Sequence, residues 1–584
     1  MIHSLTFSRL AFLGLLCFQS LDAQRFVPVP GRYLVELEAA PAKNSSQRAA
    51  LLLQHAQLRA AVKDLHGTFD SVAETVLNAA VIEVPAESSQ RLKLLPGVKR
   101  VEPVLAGDWM LNAALDRSKV PAAWARGPQG AAGAGKGIRI AILDSGIDAS
   151  HPAFRSTEPF PDGYPRVRHE RDRDLTNGKL VVIRNYQDML RYNNPSAVDT
   201  EGHGTAVAGA AAAVPHSSLA GELRGAAPAA QLGIYKIGPA LNGAAWQTDT
   251  LLKAIDDAVE DGMHVISMSL GFATGTPYGR TFISDAIENA ERAGVIVIGA
   301  AGNNGPNPGT IGAVSVSPSM INVGSIPNDR LLTTYLRLDG LDPIVMIPGA
   351  GTERPSSISA PLADGGYACE ELKPMTNRIV IIARGICAFD TKVTNAANAG
   401  ARAVVISSDR DRPAPGIMAM SSVSLPAVMV SYADGELLRP RIGTNVTLDY
   451  QYVPLGRDIT NASAFSARGP GPMLDLKPDV AAVGGDILLP VQRNTRTGRI
   501  YDPSGHMVLD GTSFSAPILA GAAAVLRQQR PGLTPAQYRS MLINTGRALG
   551  NAKPNDLGSG VLDLEAAVKA SVAAQPTALA FGVA

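Results

Sequence analysis

Near the N-terminus, the spacing of apolar and polar positions predicts a series of short strands and helices. Residues 32–38 and 79–84 alternate apolar and polar side chains as half-buried strands do, whereas residues 47–64 place leucine and alanine at helical spacing. A short helix over 87–95 and a strand over 98–103 complete the predicted order strand, helix, strand, strand, helix, strand. That order predicts an α+β unit of the ferredoxin-like type.

Farther along the chain, continuous apolar runs alternate with helical segments, while the polar stretch 157–199 is expected to be a loop. Such alternation predicts βαβ units, and apolar runs buried on both faces are typical of a parallel sheet. We therefore expect an α/β fold with a doubly wound parallel sheet. The predicted strands are the run ending at Asp144, residues 231–237, residues 265–271 and the run from 295 into a glycine-rich turn; the predicted helices are 248–261, 281–293, 513–529 and 534–545.

The pattern of predicted elements changes between residues 336 and 454, where shorter strands surround one helix at 391–400. This change predicts a separate α/β unit inserted into the core, which resumes at 455.

Composition and charge exclude several classes of function. The chain has 584 residues and 46% hydrophobic content, enough for several buried cores. Its net charge of +1 offers no basis for binding nucleic acid or an anionic membrane.

Residues 1–23 have the composition of a secretory signal. Arg9 precedes an apolar run over 10–18 that is too short to span a bilayer, and cleavage is expected after Ala23. A lipoprotein cysteine at Cys17 is the weaker alternative, because the bulky Leu16 precedes it. No later run approaches twenty apolar residues, so we expect a secreted protein, extracellular or periplasmic, without membrane contact once the signal is removed.

Two cysteines remain after signal removal, Cys369 and Cys387. In an exported protein an even pair favours a disulfide, and the alternative is two unrelated buried thiols.

Three residues have the chemistry of nucleophilic catalysis. Asp144 ends an apolar strand, His203 lies between two glycines, and Ser513 lies where a turn enters a helix. Each alone is commonly structural, as a turn cap, a satisfied histidine or an N-cap serine. Together they supply an acid, a base and a nucleophile, which is what activation of a serine hydroxyl requires. An esterase of the α/β-hydrolase type would need a Gly-x-Ser-x-Gly elbow and a histidine after the serine, and Ser513 has neither.

The segments around these residues resemble the three signature motifs of the subtilisin-like serine proteases (subtilases, peptidase family S8). They are Ile-Leu-Asp-Ser-Gly-Ile at 142–147, Gly-His-Gly-Thr-x-Val-Ala-Gly at 202–209 and Gly-Thr-Ser-x-Ser-Ala-Pro at 511–517. The resemblance implies a three-layer subtilisin-like core over 110–335 and 455–570. It also implies a serine endopeptidase acting through an acyl-enzyme on protein or peptide substrates, with Ser513 rather than Ser515 as the nucleophile.

The same resemblance implies roles for residues around the triad. Asn303 corresponds to the oxyanion-hole asparagine, and residues 267–271 resemble the edge strand that pairs with substrate. No charge is evident in the implied pocket, so an apolar or broad preference is expected. The implied substrate-binding residues are Ser269, Leu270, Gly271, Ala300, Ala301 and Gly302.

The flanking regions resemble known accessory units of the family. Residues 30–105 resemble the inhibitory propeptide, which implies a zymogen held by its own intramolecular inhibitor, and a mature chain starting between Asp108 and Asp116. The 336–454 insert resembles a protease-associated (PA) domain through Arg-Gly-Ile-Cys-Ala-Phe at 384–389. The tail, 571–584, resembles the first strand of a further β domain.

The implied chemistry requires no cofactor and no metal ion. Many subtilases bind a structural calcium ion through an aspartate after His-Pro, but here His151-Pro152 precedes Ala153. The alternative to a peptidase is a catalytically inactive subtilase-fold protein that serves in binding or adhesion.

Overall fold

The computed structural model divides the chain into two units, Met1–Asp108 and Trp109–Ala584. The predicted signal, 1–23, and Asp108, the first of the expected mature N-termini, lie outside the described residues. The structure describes residues 27–577 except 40–44, 74–77, 107–109, 190–194, 219, 239–245, 273–280, 315, 350–351, 414, 417, 419–424, 457 and 551.

The first unit is a four-stranded antiparallel sheet in the order β2-β3-β1-β4. Leu58 and Val62 of its helix are buried together with Val35 and Ile82 of the sheet, so the apolar face found in the sequence forms the core. The element order agrees with the order predicted from sequence. The elements are β1 Val27–Leu37, α1 Ser45–Asp64, β2 Thr68–Ala73, β3 Ala79–Glu83, a 3-10 helix Ala86–Leu94 and β4 Val98–Ala106.

The second unit is built on an eight-stranded parallel sheet. Its strands, in chain order, are β5 Arg139–Asp144, β6 Arg166–Val167, β7 Leu180–Asn185, β10 Gln231–Lys236, β11 Val265–Met268, β12 Ile296–Ala300, β13 Met320–Pro327 and β21 Val480–Gly485. Their spatial order is β21-β13-β12-β11-β5-β10-β7-β6.

Helices cover both faces of this sheet, because successive side chains of a strand point to opposite sides. Ile140 and Ile142 of β5 belong to one apolar cluster, and Ala141 and Leu143 belong to another. The first cluster includes residues of the helices His203–Ala212 and Thr512–Gln529, and the second includes residues of the helices Thr248–Glu260 and Phe282–Arg292. The result is a three-layer α/β core with a large parallel sheet, as predicted. The helices are α2 Met110–Arg117, α3 Val120–Trp124, α4 His203–Ala212, α5 Thr248–Glu260, α6 Phe282–Arg292, α9 Thr512–Gln529, α10 Pro535–Asn544, α11 Pro554–Leu557 and α12 Leu564–Lys569.

The expectation of a loop over 157–199 was wrong, because β6 and β7 lie within it. The apolar run of β7 is short and is bounded by Lys179 and Arg184, which masked its strand character. In the fold both charges have partners: Lys179 Nζ donates to the carbonyl of Pro228 at 2.7 Å, and the Arg184 guanidinium makes two 2.6 Å hydrogen bonds to the Asp261 carboxylate.

Smaller elements complete the core. The strand pairs are β8 His216–Ser218 with β9 Gly221–Leu223 and β22 Ile487–Pro490 with β23 His506–Leu509; 3-10 helices cover Gly130–Gly133, Pro152–Phe154 and Glu170–Leu175.

None of the helices in the described part of the chain has both the length and the apolar character needed to cross a bilayer.

A closed seven-stranded barrel is inserted between β13 and β21. It runs from Arg330 to Gly456, slightly wider than the predicted insert. A disulfide joins Cys369, before β17, to Cys387, after it, which is the pairing favoured from sequence. The barrel elements are β14 Arg330–Arg337, β15 Ile344–Pro348, β16 Ser357–Asp364, β17 Ile379–Ala383, α7 Phe389–Asn398, β18 Ala403–Ser407, β19 Ala427–Val430, α8 Tyr432–Leu438, a 3-10 helix Arg439–Arg441 and β20 Asn445–Gly456.

Three histidines from distant parts of the core form one buried cluster. The ring centroids of His151, His216 and His506 lie 5.1–5.5 Å apart, and each side chain is almost fully buried. Burial, reinforced by the charge of His216, lowers the pKa of His151 to about 4. Burial and the two neighbouring rings lower the pKa of His506 to about 3, and burial also lowers the pKa of His216. The cluster is therefore neutral in the folded protein at pH 7.

We expect the free energy of unfolding to fall by at least about 3 kcal/mol between pH 7 and pH 4. The folded-state pKa values lie below the ordinary value of 6.5, so the unfolded chain binds more protons below pH 6.5. This stability is present above pH 6.5 and is lost as the pH falls towards 4. Urea unfolding of a Ser513→Ala chain, which removes the proposed nucleophile and so guards against self-digestion, measures it.

His506→Phe in that background isolates the cluster from other titrating groups. Among the described residues the buried Nε2 of His506 has no hydrogen-bond partner and Nδ1 makes one long contact, 3.2 Å to the Ser504 carbonyl, so a phenyl ring fills the same space and loses only that weak bond. The pH slope should be shallower in this variant and unchanged in His169→Gln, whose ring lies outside the cluster. An unchanged slope in His506→Phe would contradict the prediction.

Candidate active site

The three candidate catalytic residues lie at ends of secondary-structure elements. Asp144 is the last residue of β5, which pairs with β10 on one side and β11 on the other. His203 is the first residue of α4, and Ser513 is the second residue of α9. Carboxyl ends of parallel strands and amino ends of the helices that pack on them meet at one edge of such a fold, which brings the three side chains to one cavity.

Asp144 and His203 are in direct contact. The Nδ1 of His203 lies 2.8 Å from Oδ1 of Asp144, and this oxygen also accepts the Ser145 N–H at 2.7 Å. Asp144 is 4% exposed, and its Oδ2 is buried without a hydrogen-bond partner among the described residues. A buried carboxylate with an unpaired oxygen is least costly when the neighbouring imidazole carries a positive charge. The pair is therefore arranged to stabilise an imidazolium.

The surroundings of His203 favour its protonated form and so raise the pKa of the imidazole. Burial lowers the pKa of the imidazole, but the charge and hydrogen bond of Asp144 outweigh it, so the pKa lies above its ordinary value of 6.5. The positive charge of Arg499 opposes this rise. Nδ1–H donates to Asp144 in the neutral ring, which leaves the Nε2 lone pair to accept a proton.

Asp199 holds the start of α4 in place, a role that the sequence analysis missed. Its carboxylate is fully buried and accepts the N–H groups of Gly202 at 2.8 Å and Thr205 at 2.9 Å. It also accepts the Ser145 hydroxyl at 2.9 Å, and that hydroxyl in turn accepts the Gly204 N–H at 2.8 Å. A carboxylate shortly before a helix start is a sequence signal for such anchoring. Asp199 thereby fixes His203 relative to Asp144.

Ser513 is tied to Ser269 by two reciprocal contacts. The Ser269 hydroxyl donates to the backbone carbonyl of Ser513 at 2.7 Å, and the Ser513 hydroxyl donates to the carbonyl of Ser269 at 3.4 Å. The second bond is long, so the hydroxyl is weakly held. Rotation about the Cα–Cβ bond of Ser513 can release the hydroxyl from Ser269 and redirect it within the cavity, because such staggered positions interconvert readily.

Asn303 follows β12 and is oriented by the start of α9. Its Oδ1 accepts the Thr512 N–H at 2.9 Å and the Thr512 hydroxyl at 2.8 Å. Because a backbone N–H can only donate, the oxygen of the amide must face Thr512, and the Nδ2 group faces the other way as a donor. The Ser513 N–H lies in the first helical turn, where no intrahelical acceptor exists. These two donors can serve one developing oxyanion.

Asn303→Leu is expected to lower kcat about 100- to 1000-fold with little change in KM, because an oxyanion donor acts mainly in the transition state. Kinetics with a fluorogenic peptide measure the split between kcat and KM. Asn304→Ala is the matched control: its side chain approaches Gly312 rather than Thr512, and kcat should stay within a few fold of wild type. A loss confined to KM in Asn303→Leu would contradict the oxyanion role.

One cavity of about 310 Å³ contains the three candidate catalytic side chains. Ser269, Leu270 and Gly271 line it as well, whereas Ala300, Ala301 and Gly302 are not among its lining residues. Ala300 and Ala301 are buried, and Gly302 lies against Gly312, so their part in a substrate pocket stays a prediction. The remaining lining residues are Ser145, Glu201, Ile237, Trp246 and Arg499. Glu201 and Arg499 add two charges that the sequence analysis did not anticipate.

The expected edge strand over 267–271 needs correction in its first half. Residues 265–268 form β11, which pairs with β5 and β12 and is therefore internal to the sheet. Only residues 269–271 leave the sheet, and Gly271 forms an isolated antiparallel bridge with Ala313. The sequence pattern does not distinguish an internal parallel strand from its free extension, because it does not show where pairing with the neighbouring strands ends.

Ala153, at the expected calcium-ligand position, is fully buried in a 3-10 turn and presents a methyl group. The described residues contain no group of three or more His, Cys, Asp or Glu side chains that could hold a metal ion.

The chain is similar to a known protein family and to several of its members. The model of the subtilase family matches residues 135–560. The minor extracellular protease Vpr of Bacillus subtilis is 28% identical over 470 residues, which cover 77% of this chain and 53% of Vpr. A C5a peptidase of Streptococcus pyogenes serotype M3 is 29% identical over 484 residues, covering 76% of this chain and 40% of the peptidase. The subtilisin-like protease SBT1.4 of Arabidopsis thaliana is 30% identical over 474 residues, covering 73% and 60%.

The chain thus spans about half the length of the curated relatives it matches. Among solved structures, the psychrophilic subtilisin-like protease Apa1 from the Antarctic psychrotroph Pseudoalteromonas sp. AS-11 aligns with a TM-score of 0.40 and 19% identity, over 75% of this chain and 94% of Apa1.

Proposed function

The chain belongs to the subtilase family, and on that premise we propose that it is a secreted serine endopeptidase that hydrolyses peptide bonds through an acyl-enzyme. The observation that carries the proposal is the 2.8 Å contact between Asp144 and His203 in the same cavity as Ser513. Subtilase relatives are proteases by name, which supports peptide or protein substrates.

In the proposed reaction the Ser513 hydroxyl attacks the scissile carbonyl carbon while Nε2 of His203 accepts its proton. The carbonyl oxygen becomes an oxyanion held by Asn303 Nδ2 and the Ser513 N–H. When the tetrahedral intermediate collapses, the C–N bond breaks and the imidazolium returns its proton to the leaving amine. Water then attacks the acyl-enzyme, again with His203 as base, and releases the carboxylic acid and the free serine.

Asp144 contributes orientation and charge without itself taking up a proton. Its hydrogen bond fixes the tautomer of His203, and its charge stabilises the imidazolium formed in both halves of the reaction. The imidazole must be neutral to act as a base, so the activity should fall as the pH drops through the raised pKa of His203.

The accessory regions complete the proposal. We assign residues 1–23 as a secretion signal, 30–105 as an inhibitory propeptide that keeps the protein a zymogen, and 336–454 as a PA domain. The name of the extracellular relative Vpr supports export, and the element order of the first unit supports the propeptide. The chemistry needs no cofactor, and calcium, if bound, would have to use ligands other than Ala153.

Labelling with a serine-directed fluorophosphonate tests the proposal against an inactive binding or adhesion protein. The processed, purified chain should take up one label, and mass spectrometry should place it on the peptide that contains Ser513. A chain that neither labels nor cleaves any member of a peptide library, while remaining folded by circular dichroism, would favour the binding protein.

A further inference from the structure

The loop 491–505, between β22 and β23, is anchored to two other parts of the second unit. The Arg493 side chain lies 3.4 Å from the Asp148 carboxylate of the core. Arg354 of the barrel forms a 2.7 Å ion pair with Asp502, and the two side chains are 5% and 0% exposed. Separating the partners of a buried ion pair leaves an uncompensated charge in the interior, which is strongly unfavourable. These two contacts therefore hold the loop between the core and the barrel.

A third anchor joins this loop to the residues directly before His203. The Ile500 N–H donates to the Glu201 carbonyl at 2.8 Å. The Ile500 carbonyl packs so closely on Gly202 that a Cβ there would lie 1.8 Å from its oxygen. Gly202 also has a backbone φ of 94°, a value that residues with a side chain rarely adopt. The loop therefore has a defined position relative to His203.

Arg499 precedes Ile500 and lines the cavity that contains His203, Ser269 and Ser513. Its side chain is exposed, and among the described residues no carboxylate lies within ion-pair distance of it. Its charge is felt at the imidazole, where it acts against Asp144. An arginine whose backbone is held at a cleft wall, and whose guanidinium has no carboxylate partner among the described residues, suits a carboxylate because its planar fork matches two oxygens.

We propose that Arg499 is a specificity-determining residue that binds an aspartate or glutamate side chain of the peptide substrate close to the scissile bond. The inference rests on the endopeptidase function proposed above and adds a substrate class to it. An extended peptide advances about 3.3 Å per residue, so a residue in the same cavity as the nucleophile reaches side chains within two positions of the cleaved bond.

Glu201 confines this preference to part of the cleft. Its carboxylate lines the same cavity and repels an acidic side chain on its own side. An acidic residue is therefore favoured at the position that faces Arg499 and not throughout the cleft.

Paired fluorogenic peptides test the inference. Each pair carries glutamate or its uncharged isostere glutamine at one of the two positions on either side of the scissile bond. The wild-type enzyme should cleave the glutamate peptide with about 5- to 10-fold higher kcat/KM at one of these positions, an effect that shrinks in 0.5 M salt. Arg499→Gln should abolish the difference in kcat/KM between the two peptides. Arg499→Glu should cleave the glutamate peptide more slowly than the glutamine peptide, and a third peptide with lysine at the same position faster than both.

Arg496→Gln is the matched control, because Arg496 is an exposed arginine of the same loop that is not among the cavity's lining residues. It should keep the wild-type preference. Cleavage of all peptides without any glutamate preference, or a preference that survives in Arg499→Gln, would overturn the role of Arg499 while the endopeptidase function stands. Absence of both cleavage and fluorophosphonate label would overturn the endopeptidase function and this inference with it.

Discussion

Ser513→Ala is expected to abolish peptide hydrolysis, lowering kcat by about a millionfold, a magnitude established on other serine proteases of this type. The substitution removes the only atom that forms the acyl bond, and the residual rate would come from substrate binding and the oxyanion donors. Fluorogenic peptide kinetics and fluorophosphonate uptake measure the loss independently. Folding should be retained, because among the described residues the hydroxyl makes a single long hydrogen bond, to Ser269.

Ser515→Ala is the matched control for this experiment. Ser515 lies two residues farther along α9, fully buried, and its hydroxyl donates to the carbonyl of Ala482 at 3.2 Å. Its loss should lower the free energy of unfolding by about 1 kcal/mol and leave the labelled residue unchanged. If Ser513→Ala still cleaved and labelled while Ser515→Ala did not, the nucleophile would be Ser515 and the assignment within this helix would be wrong.

Asp144→Asn is expected to lower kcat about 10,000-fold near pH 7. An asparagine amide can donate to Nδ1 of His203, which would favour the tautomer with the proton on Nε2, where the base is needed. The substitution also removes the negative charge that stabilises the imidazolium. Steady-state kinetics at several pH values measure both effects.

The pH profile separates this role from a structural one. Asp144 raises the pKa of His203 in the wild-type protein, so the acidic limb of the kcat/KM profile should move to lower pH in Asp144→Asn. A merely destabilised variant would lose active protein without moving that limb. A loss of less than tenfold with an unmoved limb would contradict the proposed pairing.

Prediction from sequence succeeded for elements whose local pattern matches their final environment. The β5 strand is apolar from Ile140 to Leu143 because helices cover both faces of the sheet, and this continuous apolar run identified a buried parallel strand. The β7 strand was missed because Lys179 and Arg184 bound a short apolar run. Their partners, the carbonyl of Pro228 and the Asp261 carboxylate, come from distant segments, and no local pattern reveals such partners.

In the candidate site, the sequence indicated some residues, whereas the contacts that support them were visible only in the structure. Residue type and motif spacing were enough to propose Asp144, His203 and Ser513 as candidates, because each chemical role accepts few side chains. The supporting contacts of Asp199 and Ser269 were not evident, since a carboxylate or hydroxyl in a loop has many local uses.

By itself, the sequence determined the periodicity of the sheet and helices and the identity of the three candidate catalytic side chains, because both are local properties of residue type and spacing. Only the tertiary structure decided that the triad shares its cavity with Glu201 and Arg499. Arg499 lines the same cavity as His203, and its loop, 491–505, is held by partners far away in the chain, Asp148 in the core and Arg354 in the barrel. Charge in the cleft is therefore a product of long-range contacts, which is why an apolar pocket was expected from the sequence.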